Sequence, residues 1–393
     1  MHAELTPEEV GERIAATRHA RRMTQHELAR ASAYSLASIK AIERGARAPS
    51  GTGLESIADA LGVDPSRLTS DARHDSRVHA TIPLISASIA GYDIPMDPPG
   101  RPLPELREAI RTAVEWRVGA QYTLIAKAGP ALLRDALSTL HHSTGAERQT
   151  AARLLATAAR SVDAVAFKYS HLDLSARLVE LMRWAAQQTG DPLVEASTAY
   201  VRTEVFFAAR AHTAGLKALE RAIDADPAPA GSRATAVRGA LHMRAAVIAG
   251  RAGDVTAADL HLAEARRLGD LVPEGTYDGT AFGPDSVRTH EVSVAVSLGQ
   301  EHVGRALAVA SEWTPPDSLP AERQSGFWIE LARAQLWAGR ADDAFESLKV
   351  ARVIAPQHTR EHPWARETAG TLRRLKRADA ETLTNFAEWV GAI

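Results

Sequence analysis

The sequence predicts an all-α protein, a small head of short helices followed by a long array of paired helices. Three observations predict it. Between Pro7 and Gly62, helix start and stop signals follow one another at short intervals. From Leu103 onward, apolar residues recur at helical spacing, with short breaks and no strand-like alternation. Between these regions, Pro83, Pro95, Pro98, Pro99, Pro102 and Pro104 forbid one continuous helix. The expected division is a head over 1–70, a proline-rich linker over 71–104 and a helical array over 105–393.

The composition sets bounds on function. The 393 residues are 45% hydrophobic and 24% charged, an ordinary globular balance. No apolar run approaches the roughly 20 residues that span a bilayer, and the first residues are acidic and polar, unlike a signal peptide. With no cysteine in the chain, disulfides and thiolate metal sites are excluded, and a reducing cytoplasm, with association to the nucleoid, is the expected location. Net charge is −2, yet from Arg13 to Arg47 eight basic residues stand against two acidic ones. That local excess suits the phosphates of double-stranded DNA.

Within the head, Pro7 opens a first helix, with Glu8, Glu9 and Glu12 at its positive dipole end. Thr24 with Glu27 forms a capping box for a second helix over Gln25–Ala31. After the turn Ser32-Ala33-Tyr34, Ser35 caps a third helix over Leu36–Arg44, which Gly45 stops as a left-handed C-cap. Leu54, Ile57, Ala58 and Leu61 mark a fourth helix ending near Gly62. Two short helices joined by so tight a turn make a helix-turn-helix.

The string Thr24-Gln25-x-x-Leu28-Ala29, Ile39, Glu43-x-Gly45, Pro49, then Leu54-x-x-Ile57-Ala58-x-Ala60-Leu61-x-Val63 resembles the Xre (Cro/phage-repressor) class, a lambda-repressor-like fold. Ala33 departs from it, standing where that family has a turn glycine. Ile39 and Ile42 are spaced to face a core with Leu28, Ile57 and Leu61, which leaves Ser35, Leu36, Ala37, Ser38, Lys40, Ala41 and Arg44 toward the major groove. The resemblance implies that Gln25 contacts a phosphate and that Arg18 pairs internally with Glu43. Arg21, Arg22, Lys40 and Arg47 are further phosphate candidates. A reading face so poor in long hydrogen-bonding side chains predicts modest direct readout, leaning on DNA shape.

In the linker, Ile82–Tyr92 predicts a short packed helix, and the residues after it an extended spacer. Whether this segment tethers passively or transmits a signal stays open.

The array shows a repeat. Trp328, Leu331, Ala332, Ala344, Leu348, Ala351 and Pro356 fall at the key positions of a 34-residue tetratricopeptide unit. Gly215, Leu219, Ala222 and Pro227 keep part of that spacing, as do Ala246, Ala258, Leu262 and Ala265. Weaker units centre on Ser175 and Ala306. These five predict a tetratricopeptide-like α-solenoid, closed by a capping helix carrying Leu383, Phe386 and Val390. Joined to such a head, and with GYDIPMDPPGRPLPELR, Phe282-Gly283-Pro284 and Ala355-Pro356-Gln357, the chain resembles a group of regulators of high-GC Gram-positive bacteria. It is more loosely similar in architecture to the Rap/Rgg-type quorum-sensing receptors, which bind peptides in a concave groove. Those receptors grip peptide backbones with asparagines, whereas here Asn385 is the sole asparagine.

Concave positions of a solenoid predict a ligand site at Tyr200, Glu204, Phe207, Met243, Val247, Arg288, Glu291, Ala295, Ile329, Arg333 and Leu336, with Trp337 adjacent. The glycine-rich loop 275–285 is either a lid or a connector. Phosphate-loop and nucleophile-elbow motifs are absent. His358-x-x-Glu361-His362 spells an inverted zinc-protease string, but flanking prolines leave barely two turns, so no metal or cofactor is expected. The functional expectation is a homodimeric, non-enzymatic transcription regulator on a pseudo-palindromic operator, modulated by a small molecule or peptide. The alternative is a DNA-tethered scaffold that recruits a partner protein through the array.

Overall fold

The computed structural model describes residues 6–21, 23–61, 68, 72–95, 100–225, 230–375 and 380–392. Arg22, Gly62, Val63, Pro98, Pro99 and Pro227, all used above, lie outside the described residues. Among the described residues there are 20 α-helices and one two-stranded hairpin, so the chain is all-α as expected. It divides into two compact units, residues 1–76 with 369–393, and residues 77–368.

The first unit contains α1 (Pro7–Ala20), α2 (Gln25–Ala31), α3 (Leu36–Glu43) and α4 (Gly51–Leu61). Thr24 and Glu27 form the full reciprocal capping box, and the Ser35 hydroxyl accepts from the Ser38 amide. Gly45 takes φ +70° after α3, and the Ala46 N–H reaches back to the Ala41 carbonyl. Ile14, Leu28, Ile39, Ile42 and Ile57 are fully buried, giving the head its own core. Gly11 lets α1 cross α3 closely, since a Cβ there would stand 2.2 Å from the Ile42 carbonyl oxygen. Ala33 adopts φ +57°, so the turn keeps the left-handed backbone without the glycine that relieves it.

A later helix, Ala380–Trp389, also belongs to this unit, with Leu383 and Phe386 buried and Glu388 3.6 Å from Arg21. The sequence reading places this segment as a cap on the array. Its apolar face is real, but chain order does not decide what an amphipathic helix packs against.

The linker reading also needs correction. α5 (Ala72–Ser88) begins about ten residues before the expected helix and contains Pro83. That proline removes the N–H that would bond the His79 carbonyl. Burial of Val78, Ile85 and Ile89 in the core of the second unit offsets this loss. From residue 77, the segment is therefore part of the packed second unit.

In that unit the helices pair as α6 (Leu103–Val118) with α7 (Tyr122–His142), α8 (Gly145–Lys168) with α9 (Leu172–Gln187) and α10 (Pro192–Ala208) with α11 (His212–Ala225). They continue as α12 (Ser232–Ala252) with α13 (Val255–Gly269), α14 (Pro284–Leu298) with α15 (Val303–Glu312) and α16 (Ala321–Trp337) with α17 (Ala341–Ile354). Five of these hairpins share one turn. Ala120, Ser170, Arg210, Gly253 and Gly339 are left-handed, and each following N–H bonds the carbonyl five residues back, at 2.7–3.0 Å. Five residues beyond that turn, four of the five expected crossing positions (Ser175, Gly215, Ala258, Ala344) are small and buried, as is Ala306 in α15. At Gly215 a Cβ would meet Ile248 Cδ1 at 2.3 Å, which is why a small residue is needed. The α6–α7 hairpin precedes the five expected units, and its equivalent position holds the large Ile125, which hides it from the repeat pattern.

The first helices of successive hairpins lie side by side, α10 on α12, α12 on α14 and α14 on α16. Between α13 and α14, β1 (Gly275–Tyr277) pairs antiparallel with β2 (Thr280–Phe282). Phe282 is fully buried against Gly239, where a Cβ would come within 1.9 Å of its ring. α18 (Pro356–Glu361) and α19 (Pro363–Leu375) follow the last hairpin.

Candidate functional site

Two places concentrate chemistry, one in each unit. In the head, α3 and its two caps expose Ser35, Ala37, Lys40 and Arg44, with Leu36, Ser38 and Ala41 half-buried beside them. Its opposite side buries Ile39 and Ile42. Arg21 and Arg47 are exposed on flanking segments. Arg18 is held inside, its Nε 2.7 Å and Nη2 2.9 Å from Glu43 carboxylate oxygens, and its Nη1 donates to the Met23 carbonyl at 2.8 Å. This is the internal pair the resemblance implies. Gln25 joins it, donating from Nε2 to Glu43 at 2.7 Å. Burial alone pushes the Glu43 carboxyl up, but the Arg18 and Gln25 hydrogen bonds outweigh it and hold the carboxyl below its ordinary value.

In the second unit a cavity of about 510 Å³ opens along the inner helices. Every first helix of the six hairpins contributes: Arg117 from α6, Arg160 and Asp163 from α8, Tyr200 and Glu204 from α10, Arg244 from α12, His290 from α14, Arg323 and Glu330 from α16. The periodic stacking of hairpins thus carries side chains far apart in sequence to one wall. His358 lines it from α18, Trp364 from the start of α19 and His362 from the junction between them, and Thr276, Gly279 and Thr280 from the strand hairpin.

The strand hairpin is tied to this wall. Arg117 donates to the Gly279 carbonyl at 2.8 Å, and Arg160 donates to the Asp278 carbonyl at 2.7 Å and to Thr280 Oγ1 at 2.6 Å. Arg233 grips the Asp278 carboxylate with two bonds, at 2.7 and 2.8 Å. The loop left open as lid or connector is therefore an ordered hairpin held by arginines.

Tyr200 sits at the centre of the charge. Arg323 donates to its hydroxyl at 2.9 Å, and the guanidinium carbons of Arg244 and Arg160 lie 4.1 and 5.7 Å from its ring centroid. Burial pushes the phenol up, but Arg244, Arg323 and Arg160 outweigh it and bring it down to about 8. Burial and the charge of Arg117 pull Arg160 down to about 9. Glu330, buried and accepting a bond from Ser293, is pushed up to about 7. Asp163 is pushed well above the carboxylate range by burial and by Glu204. His290 is buried and kept neutral, so its Nδ1–H donates to the Ser286 carbonyl while Nε2 accepts from Arg323 at 2.9 Å. His358, brought down to about 3 by burial and by Lys168, accepts from Lys168 through Nε2 and donates from Nδ1 to Ser325. Of the inverted zinc-protease string, His358 thus links Lys168 to Ser325, while Glu361 pairs with Arg366. Among the described residues no cluster of three or more metal-ligating groups exists.

The sequence-derived ligand residues divide. Tyr200, Glu204, Phe207 and Val247 line the cavity. Met243 and Ile329 are fully buried in the packing instead, and the neighbouring residues Arg244 and Glu330 face the cavity. Arg288, Glu291 and Ala295 line a different cavity against α13 and α15, where Glu291 pairs with Arg266 at 2.6 Å. One residue along a helix is a rotation of about 100°, enough to turn a wall position into a core or flank position. Arg333 stacks between Trp337 and Trp364, 4.8 Å from each ring centroid, and bonds Glu367. Trp337 and Leu336 do not line the cavity. The sequence reading missed Arg117, Arg160 and Arg323: arginine recurs in the second half of the first helix of the first two hairpins, a signal that finds Arg117 and Arg160, whereas Arg323 lies in the first turn of α16 and no such signal marks it.

Residues 9–69 match the family model described as a helix-turn-helix domain, which agrees with the head as built from its caps and core. No curated protein sequence matches the chain. Among solved structures, the chain is similar to PlcR of Bacillus thuringiensis in complex with the peptide PapR7 and DNA, at 14% identity, 67% of this chain, 95% of that one and TM-score 0.30. It is also similar to the apo competence regulator ComR of Streptococcus vestibularis, at 12% identity, 95% and 99% coverage and TM-score 0.32.

Proposed function

We propose that the protein is a ligand-responsive transcription regulator. In this reading α3 lies in the major groove of an operator, and a ligand in the array cavity shifts the population of DNA-competent molecules. The observation that carries it is the pairing, in one chain, of a helix-turn-helix head with a cavity built by all six hairpins. Its volume falls within the ~300–1,000 Å³ of small-molecule sites. Ser35, Leu36, Ala37, Ser38, Lys40, Ala41 and Arg44 face the bases, and Arg21, Gln25 and Arg47 flank them toward the phosphates. Gln25 then serves Glu43 as well as DNA. Lying outside the described residues, Arg22 keeps its proposed phosphate role on sequence alone.

The regulator acts as a homodimer assembled through the array, because one small head alone binds weakly and paired half-sites about one helical turn apart require two. The array segment is read as a tetratricopeptide-like solenoid working in the cytoplasm. The test is selection of duplexes from a random pool by the full-length protein. Enrichment of two symmetric half-sites roughly 10 base pairs apart supports the reading, and recovery of unenriched duplexes overturns it. The arginine-lined cavity favours ligand sensing over the scaffold alternative.

A further inference from the structure

The cavity has more positive charge than its own acids neutralise. Five arginines line it: Arg117, Arg160, Arg244, Arg251 and Arg323. Among the described residues, none of the five has a carboxylate oxygen within ion-pair distance, and their partners are carbonyls, hydroxyls, a neutral histidine and aromatic rings. Nε of Arg117 and Nε of Arg244 are buried with no hydrogen-bond partner at all. Four of the five acids on the wall are otherwise engaged, and the fifth, Glu204, is one carboxylate against five arginines. Glu322 pairs with Lys168 at 2.8 Å and Glu361 with Arg366 at 2.8 Å. Asp163 and Glu330 are held toward their neutral forms.

A guanidinium whose donors are buried and unanswered is costly, and a planar carboxylate is the group that its fork fits. Apolar surface from Phe167, Phe207, Phe327 and Trp364 lines the same cavity. We propose that the ligand is an amphipathic carboxylate, its acid group seated among Arg244, Arg323 and Arg117 beside Tyr200 and its apolar body against these aromatic rings. This rests on the sensor reading above and deepens it. The carboxylate comes either from a small organic acid or from the C-terminus of a short apolar peptide.

The test uses the full-length protein and matched probes that differ only in charge: 2-naphthoate against 2-naphthamide, and an apolar pentapeptide with a free C-terminus against its C-terminal amide. Isothermal titration is expected to give at least tenfold tighter binding for the acid of one pair, and that pair identifies the source. Arg244→Leu is expected to abolish the preference and, without any probe, to raise Tm by about 2–4 °C by removing an unneutralised charge. Equal affinity for acid and amide in both pairs overturns the proposal, as does a fall in Tm for Arg244→Leu with no binding of any probe. DNA affinity followed on the same samples separates the two ideas. A carboxylate that binds without changing DNA affinity overturns the sensor reading and leaves the anion site standing. An amide that binds and changes DNA affinity as the acid does leaves the sensor and removes the anion site.

Discussion

At the scale of single residues, the head depends on one buried charge. Arg18 makes two bonds to Glu43 and one to the Met23 carbonyl, and removing it strands a carboxylate that, among the described residues, only Gln25 then serves. Arg18→Ala is expected to destabilise the head by about 3 kcal/mol, the usual cost of breaking a buried pair, and Arg18→Lys restores little because it lacks the fork. Urea denaturation followed by circular dichroism checks both. Glu43 has a lowered pKa in the folded state, so its contribution is present above the unfolded value of 4.5 and is lost as pH falls through the folded value. In the array, the Tyr200 phenol carries a prediction of its own. The ultraviolet difference between wild type and Tyr200→Phe is expected to titrate near 8 rather than 10. Because the folded value is the lower one, the stabilisation from Tyr200 is complete above 10 and lost as pH falls through about 8. A midpoint at 10 contradicts the arginine cage.

At the scale of elements, what the sequence shows depends on how local the cause is. Caps and turns act over three to five residues, so Thr24 with Glu27, Ser35 and Gly45 are legible, and α2 falls where these signals place it. The repeat is legible where small residues mark helix crossings, and lost at Ile125 where none does. Which face of a helix meets the cavity depends on packing around the whole helix, and an error of one residue exchanges Met243 for Arg244. Pro83 inside α5 is a further non-local outcome, since burial of Val78 and Ile85 overrides the local preference. The strand hairpin depends on Gly239. Gly239→Ala is expected to displace Phe282 and cost about 1–3 kcal/mol, seen as a lower Tm. An unchanged Tm shows that the hairpin is not anchored there.

For the whole molecule, net charge is close to neutral while the segment around α2 and α3 is strongly basic. Affinity for DNA therefore belongs to the head, and the account requires it to be electrostatic in origin. On a duplex selected by the protein, log K is expected to fall linearly with log salt, by about 0.9 per phosphate neutralised. A flat response contradicts the basic face. The array contributes a cavity that no single hairpin can form, so the proposed ligand response would be a property of the stacked unit. α3 itself bears the central claim, since the regulator reading fails if this helix does not meet the bases. The most direct measurement is fluorescence anisotropy of the selected duplex with wild type, Lys40→Glu and Ala37→Glu, both changes on the solvent side of α3. The account predicts at least tenfold weaker binding for each variant with its helical circular dichroism intact. Binding by either folded variant as tight as that of wild type contradicts it.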